Sequence, residues 1–180
     1  MRFTNAAAAA IMATLVAAAP ADLVNRQSSD PNACQPEGNG YGPPSSPNTD
    51  VGFENYPPYA AFARTAPTPV GYTQAFQNLN GSVQSSTYSG LVYLTSYNTT
   101  QCAQVCNAAP NCQAFDIFFE RDPVVDPAPA CPNPAAQTDI KCTMFSASVS
   151  AADATNYGQY RQNFHVVIAG SNGYNAVASS

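Results

Sequence analysis

The chain of 180 residues contains no tryptophan, one histidine and only six basic side chains against 11 acidic ones. Each shortage removes a class of function. A single histidine excludes a metal centre built on a cluster of imidazoles. A net charge of −5 gives no electrostatic footing for nucleic acid, polyanionic sugars or an anionic membrane surface. The missing tryptophan weakens any lectin-like platform. No glycine loop of phosphate-binding spacing occurs, since Gly170 to Gly173 is too short and stands at a strand end. Any enzyme chemistry would run on carboxylates, on serine and lysine, or on a cofactor, and no motif indicates a cofactor or a metal. The length suits one small domain with irregular tails.

What is present begins with an address. Arg2 supplies a positive start, Ala6 to Ala18 is an apolar run too short to span a bilayer, and Ala17, Ala18, Ala19 and Ala21 offer cleavage sites. Residues 1–19 read as a signal peptide, with a pro-segment reaching to Arg26. Removal through Arg26 leaves 4 basic and 10 acidic residues, a charge of −6. No second apolar run of membrane length follows, and the tail at 175–180 lacks a lipid-anchor signal. The expectation is a secreted protein, extracellular or cell-wall associated, without membrane insertion. Two sequons, at Asn80 and Asn98, suit a glycosylating pathway and belong at the surface if used.

An oxidising route lets the six cysteines pair as three disulfides. Cys102 and Cys106 stand four apart on a short helix, so they share a face, and a bridge between them would be strained. Each therefore reaches a different partner. Cys112, just past the helix, is the near partner for Cys106. Cys142, on a later strand, is the natural partner for Cys102. Cys34 with Cys131 follows by elimination, although six cysteines formally allow about fifteen pairings.

Proline divides the chain: ten of the 16 precede Gly71, and five lie between Pro123 and Pro134. Residues 27–70 are Pro, Ser and Gly-rich and read as a flexible arm tethered at Cys34. Within it, Phe53, Tyr56, Tyr59 and Phe62 recur every three residues, suiting a polyproline-like approach or a short helix from Pro58 to Arg64 laid on the domain. The compact domain is expected over 71–174. Its strands are read at Tyr72 to Leu79, Gly90 to Tyr97, Ala114 to Phe119, Asp139 to Phe145 and Asn163 to Ala169, with Gly170 to Gly173 as a closing turn. A helix capped at Asn98, Thr99 or Thr100 runs to about Ala108. The expected fold is α+β, one short helix across a small antiparallel sheet.

The run QCAQVCNAAPNCQAF (Gln101 to Phe115), with the later IKCTMF, resembles the PAN/apple domain. The stretch from Gly71 to Tyr174, including FFERDPVVDP and FHVVIAGSNGY, is similar to fungal secreted proteins built on such modules. Apple domains often tie their termini with a cysteine pair, whereas Cys34 lies far upstream and Cys131 inside a loop, so the third bridge departs from that pattern. The resemblance implies a non-catalytic module that binds extracellular carbohydrate or protein.

Three candidate sites follow from the residues. Tyr93 and Tyr97 project from one face of a strand and would form a flat platform for sugar stacking if that side is uncovered. Asp116, Glu120, Arg121 and Asp122, with Asp126, are the densest charge; they suit ligand or calcium contact, or a general acid and base in a small secreted hydrolase using Asp116 and Glu120. The simpler reading of Glu120-Arg121-Asp122 is a local ion-pair and turn cluster. His165 in an apolar strand reads as a neutral ring bonded to backbone rather than a triad with Ser171, because the nucleophile-elbow motif is missing. A further alternative is a structural wall or host-interaction protein acting through its proline-rich arm.

Overall fold

A computed structural model of the protein describes residues 33–38 and 40–177. The expected signal peptide and pro-segment lie outside them. The elements are helices α1 (Asp50–Glu54) and α2 (Pro57–Thr65), strands β1 (Tyr72–Leu79) and β2 (Tyr88–Leu94), helix α3 (Thr99–Ala108), and strands β3 (Ala114–Pro123), β4 (Ala136–Phe145), β5 (Gln159–Arg161) and β6 (Phe164–Ala176). A single 3-10 turn at Ala151–Asp153 precedes β5. The strands make one antiparallel sheet in the order β1-β6-β3-β4-β2, with β5 paired to β6. The fold is α+β, with α3 laid across one face.

Strand β3 is central, paired with both β4 and β6, and Ala114, Phe115, Ile117, Phe118 and Phe119 are all buried. On the helical face, Phe115, Ile117 and Phe119 meet Ile140, Cys142, Met144 and Leu94 beneath Cys102, Ala103 and Cys106 of α3. The Asn98 side-chain oxygen accepts from the Gln101 N–H at 3.0 Å and caps this helix. Cys102 bridges to Cys142 and Cys106 to Cys112, with Cα separations of 5.8 and 5.3 Å; Cys34 bridges to Cys131 at 6.0 Å. In the chain-entropy account the first two bridges contribute about 4 and about 2 kcal/mol.

The segment expected as a flexible arm carries packed structure between residues 40 and 70, and the short helix expected from Pro58 to Arg64 is α2. Phe53 is 0% and Tyr59 1% exposed. Tyr59 stacks on Phe119 with ring centroids 4.3 Å apart, and Phe53 lies 4.7 Å from Tyr59. The Tyr59 hydroxyl donates to the Pro43 carbonyl at 2.7 Å and shares a 3.0 Å bond with Thr138. Pro57 and Pro58 open α2, where a missing N–H costs nothing. Upstream, the Gly42 N–H pairs with the Thr138 carbonyl beyond the end of β2, and a Cβ on Gly42 would come within 2.4 Å of the Thr138 methyl. The aromatic series therefore extends the core, with each fully buried ring contributing roughly 1.5–3 kcal/mol. The compact unit begins well before Gly71 and continues through Ala176.

Three strand ends also differ. β2 stops at Leu94, so Tyr97 falls outside it, and β3 continues past Phe119 to Pro123. Gly170 to Gly173 is not a turn. Gly170 has φ +61°, and the β3–β6 register slips between Ile117–Asn172 and Phe119–Ala169, which places one extra residue in β6. This is a bulge of the kind glycine permits, and the strand runs on to Ala176. Asn172, fully buried beside it, accepts from the Asn78 N–H at 2.8 Å and donates to the Ala63 carbonyl at 2.7 Å, tying α2 to the bulge.

Candidate functional site on the outer face of the sheet

The face opposite α3 is built by alternation. Along β3 it carries Asp116, Phe118, Glu120 and Asp122, which stand opposite Thr143, Lys141, Asp139 and Gln137 of β4. Leu91 and Tyr93 of β2 stand opposite Thr143 and Lys141. A register shift between Tyr88 and Gly90 brings Tyr88 onto the side of Leu91, and the two line a common hollow.

At the end of this face near β1, Phe76, Val83, Ala114, Phe145, Val149 and Ala154 form a second, smaller core. Beyond it the surface opens into two hollows. The first, 310 Å³, is bounded by Gln84, Ser85, Tyr88, Leu91, Glu120 and Asn156. The second, 290 Å³, lies between Tyr93, Tyr41, Gln137, Asp139 and Glu37. Tyr41, Tyr88 and Tyr93 are each more than half exposed. Aromatic edges and faces beside amide and hydroxyl groups make a surface suited to polyhydroxylated or peptide-like ligands.

Under Tyr93 lies the chain's only lysine. Lys141 Nζ is 5.4 Å from the Tyr93 ring centroid, 2.5 Å from Glu120 Oε1 and 2.6 Å from Asp122 Oδ2. Burial and the neighbouring Asp122 push the Glu120 carboxyl up, and the same causes push up Asp139. The two acids hold the Lys141 ammonium above its ordinary range despite its burial. Among the described residues, no group of three or more His, Cys, Asp or Glu side chains is arranged to hold a metal ion.

The expected site residues scatter. Tyr93, Glu120 and Asp122 lie on this face. Tyr97 does not: it stacks on Phe119 at 4.8 Å, and its hydroxyl lies 2.6 Å from the Gly170 carbonyl and 3.1 Å from that of Ile117. Burial holds its phenol well above the ordinary range, so it remains a donor to carbonyls freed by the bulge. The Tyr93–Tyr97 platform is absent for that reason. Asp116 is fully buried; its Oδ2 accepts from the Val83 N–H and its Oδ1 from the Ser171 hydroxyl, both at 2.8 Å, and burial raises it to about 7. So placed, it cannot touch a substrate, and it does not pair with Glu120. Arg121 points to the opposite side and pairs with neither neighbouring acid. It donates to the His165 carbonyl at 2.8 Å and to Asn48 at 3.3 Å. Glu120 and Asp122 pair with Lys141 instead, so the local ion-pair cluster is replaced by a cross-strand one.

Asp126 pairs with Arg161, as does Glu37. His165 bonds Asp50 at 2.9 Å rather than backbone, and Tyr160 stacks flat on it with ring centroids 4.1 Å apart. Ser171 is engaged with Asp116, so no triad forms. The sequon residues Asn80 and Asn98 are both exposed. Sequence reasoning missed Tyr41, Tyr88, Asp139 and Lys141; a lone lysine flanked by Ile140 and Cys142 was the one available signal.

No family model, no curated protein and no solved structure matches the chain.

Proposed function

We propose that the protein is a secreted, non-catalytic binding module of the PAN/apple kind that recognises neutral extracellular polysaccharide through the outer face of its sheet. The observation that carries this reading is the pair of exposed tyrosines, Tyr88 and Tyr93, flanking hollows lined by Gln84, Ser85, Asn156 and Gln137 on a side that no helix covers. Tyrosine faces stack on sugar rings, and amides and hydroxyls exchange hydrogen bonds with sugar hydroxyls without a charge on the ligand. Three disulfides support passage through an oxidising secretory route, and α3 with its two outward bridges supports the module type. A hydrolase using Asp116 with Glu120 is not favoured, because Asp116 is sealed by Val83 and Ser171.

The test is polysaccharide pull-down and a glycan array with the secreted protein, alongside Tyr88→Ala with Tyr93→Ala. Each ring contributes about 0.5–1.5 kcal/mol, so the double variant loses roughly tenfold or more in affinity while its melting temperature stays close to that of the wild type. Retained binding in the double variant, or no wall polymer bound by the wild type, overturns the reading and transfers it to a protein partner.

A further inference from the structure

We propose that Lys141 forms an intramolecular amide bond with the side chain of Asp122, closing a covalent link between β4 and β3, with Glu120 relaying the protons. Four observations carry this. Lysine is ordinarily the commonest surface cation, yet this chain has one, and it is buried at 8% exposure. Its Nζ lies within hydrogen-bond distance of both Asp122 and Glu120, whose side chains are 7% and 12% exposed. Glu120 and Asp122 share this one ammonium and the buried Asp139 carboxyl lies against Asp122, so full ionisation would leave uncompensated negative charge in a buried place. At least one acid proton is therefore retained there. Finally, the reacting groups are held in place by the sheet, which removes the entropic barrier to an otherwise slow condensation.

The step balances without an oxidant or an added reactant. Transfer of a proton from Lys141 Nζ to the Asp122 carboxylate turns the ion pair into a neutral amine and a neutral acid, the minor form beside two acids that hold the ammonium, and bond formation draws it off. The nitrogen lone pair attacks Asp122 Cγ, and the C–N bond forms. Glu120, in contact with the same Nζ, takes a proton from the nitrogen and delivers it to the departing oxygen. The C–O bond breaks and one water leaves. The products are an amide and an unchanged Glu120. Two buried charges disappear, and the loop between Asp122 and Lys141, which also carries Cys131, becomes a covalent ring.

Tryptic digestion tests this on the intact secreted protein after reduction and alkylation, independently of any ligand. The arginines flanking the region are Arg121 and Arg161, so an unlinked chain yields separate peptides 122–141 and 142–161. The proposal predicts no cleavage after Lys141 and a single peptide 122–161, lighter by one water. In Glu120→Gln the proton relay is lost, cleavage after Lys141 returns and the missing water is regained. Cleavage of the wild type after Lys141 with peptide 122–141 at full mass overturns the proposal. A bond joining Lys141 to Glu120 overturns it as well, and is recognised because it attaches the peptide ending at Arg121.

Discussion

Asp116 shows how one carboxyl can look catalytic in sequence and be structural in the fold. It lies beneath the loop carrying Val83 and beside the β6 bulge, bonded to both through Val83 N–H and the Ser171 hydroxyl. Its raised value of about 7 arises from burial, partly offset by those two donors. In the unfolded chain the same group ionises near its ordinary value of about 4. Between about pH 4 and pH 7 the native protein therefore holds a proton that the unfolded chain has released, and stability falls as pH rises through that window, levelling above it. Asp116→Asn keeps the bond from Val83 and offers an amide N–H to Ser171. Urea unfolding at several pH values should show the wild type losing stability across this window relative to the variant. Asp116→Ala leaves two buried donors unmatched and should cost about 1–3 kcal/mol near pH 5. A wild-type-minus-variant difference that is flat with pH contradicts this role.

Among the elements, α2 shows how far local reading goes: the short helix read from Pro58 to Arg64 is there as Pro57–Thr65, but the depth of its packing was not legible. The core of strand β3, with Phe115, Ile117 and Phe119 on one face, and helix α3 at Thr99–Ala108 were legible because alternation, an Asx cap and cysteine spacing are local signals. The segment before Gly71 carries the same aromatic density, but its partners, Phe119 and Thr138, come some 60 to 80 residues later, and nothing nearby announces them. Its proline and glycine content then reads as disorder. The bulge at Gly170 was hidden for a related reason, since Gly-Ser-Asn-Gly is equally good turn chemistry, and only pairing with both β1 and β3 decides between the two. The Lys141 cluster escaped notice because its members meet across strands. Tyr59→Ala tests the packing of α2: it removes the ring stacked on Phe119 and should cost about 3–5 kcal/mol in urea unfolding. A change below 1 kcal/mol would mean the segment is an arm after all.

At the scale of the whole molecule, the two faces of the sheet divide the work. The helical face is closed twice over, by α3 with its bridge to Cys142 and by α1 and α2 against β6, while the chain from Cys34, bridged to Cys131, runs through Gly42 along the edge of β4 and borders the outer face at Glu37 and Tyr41. That leaves the outer face free to expose tyrosines and amides without risking the core. A small domain gains from such staples, because a core of this size supplies little net stability unaided. No helix among the described residues is long and apolar enough to cross a membrane.

The most direct test of this division is a titration of the protein with neutral oligosaccharides, followed through the aromatic resonances in two-dimensional NMR. The account predicts progressive shifts of Tyr88 and Tyr93 rings, with the buried Tyr59, Tyr97 and Phe119 rings unmoved. Shifts centred instead on Phe62 and its neighbours on α2, or no saturable shift on Tyr88 and Tyr93, would contradict it.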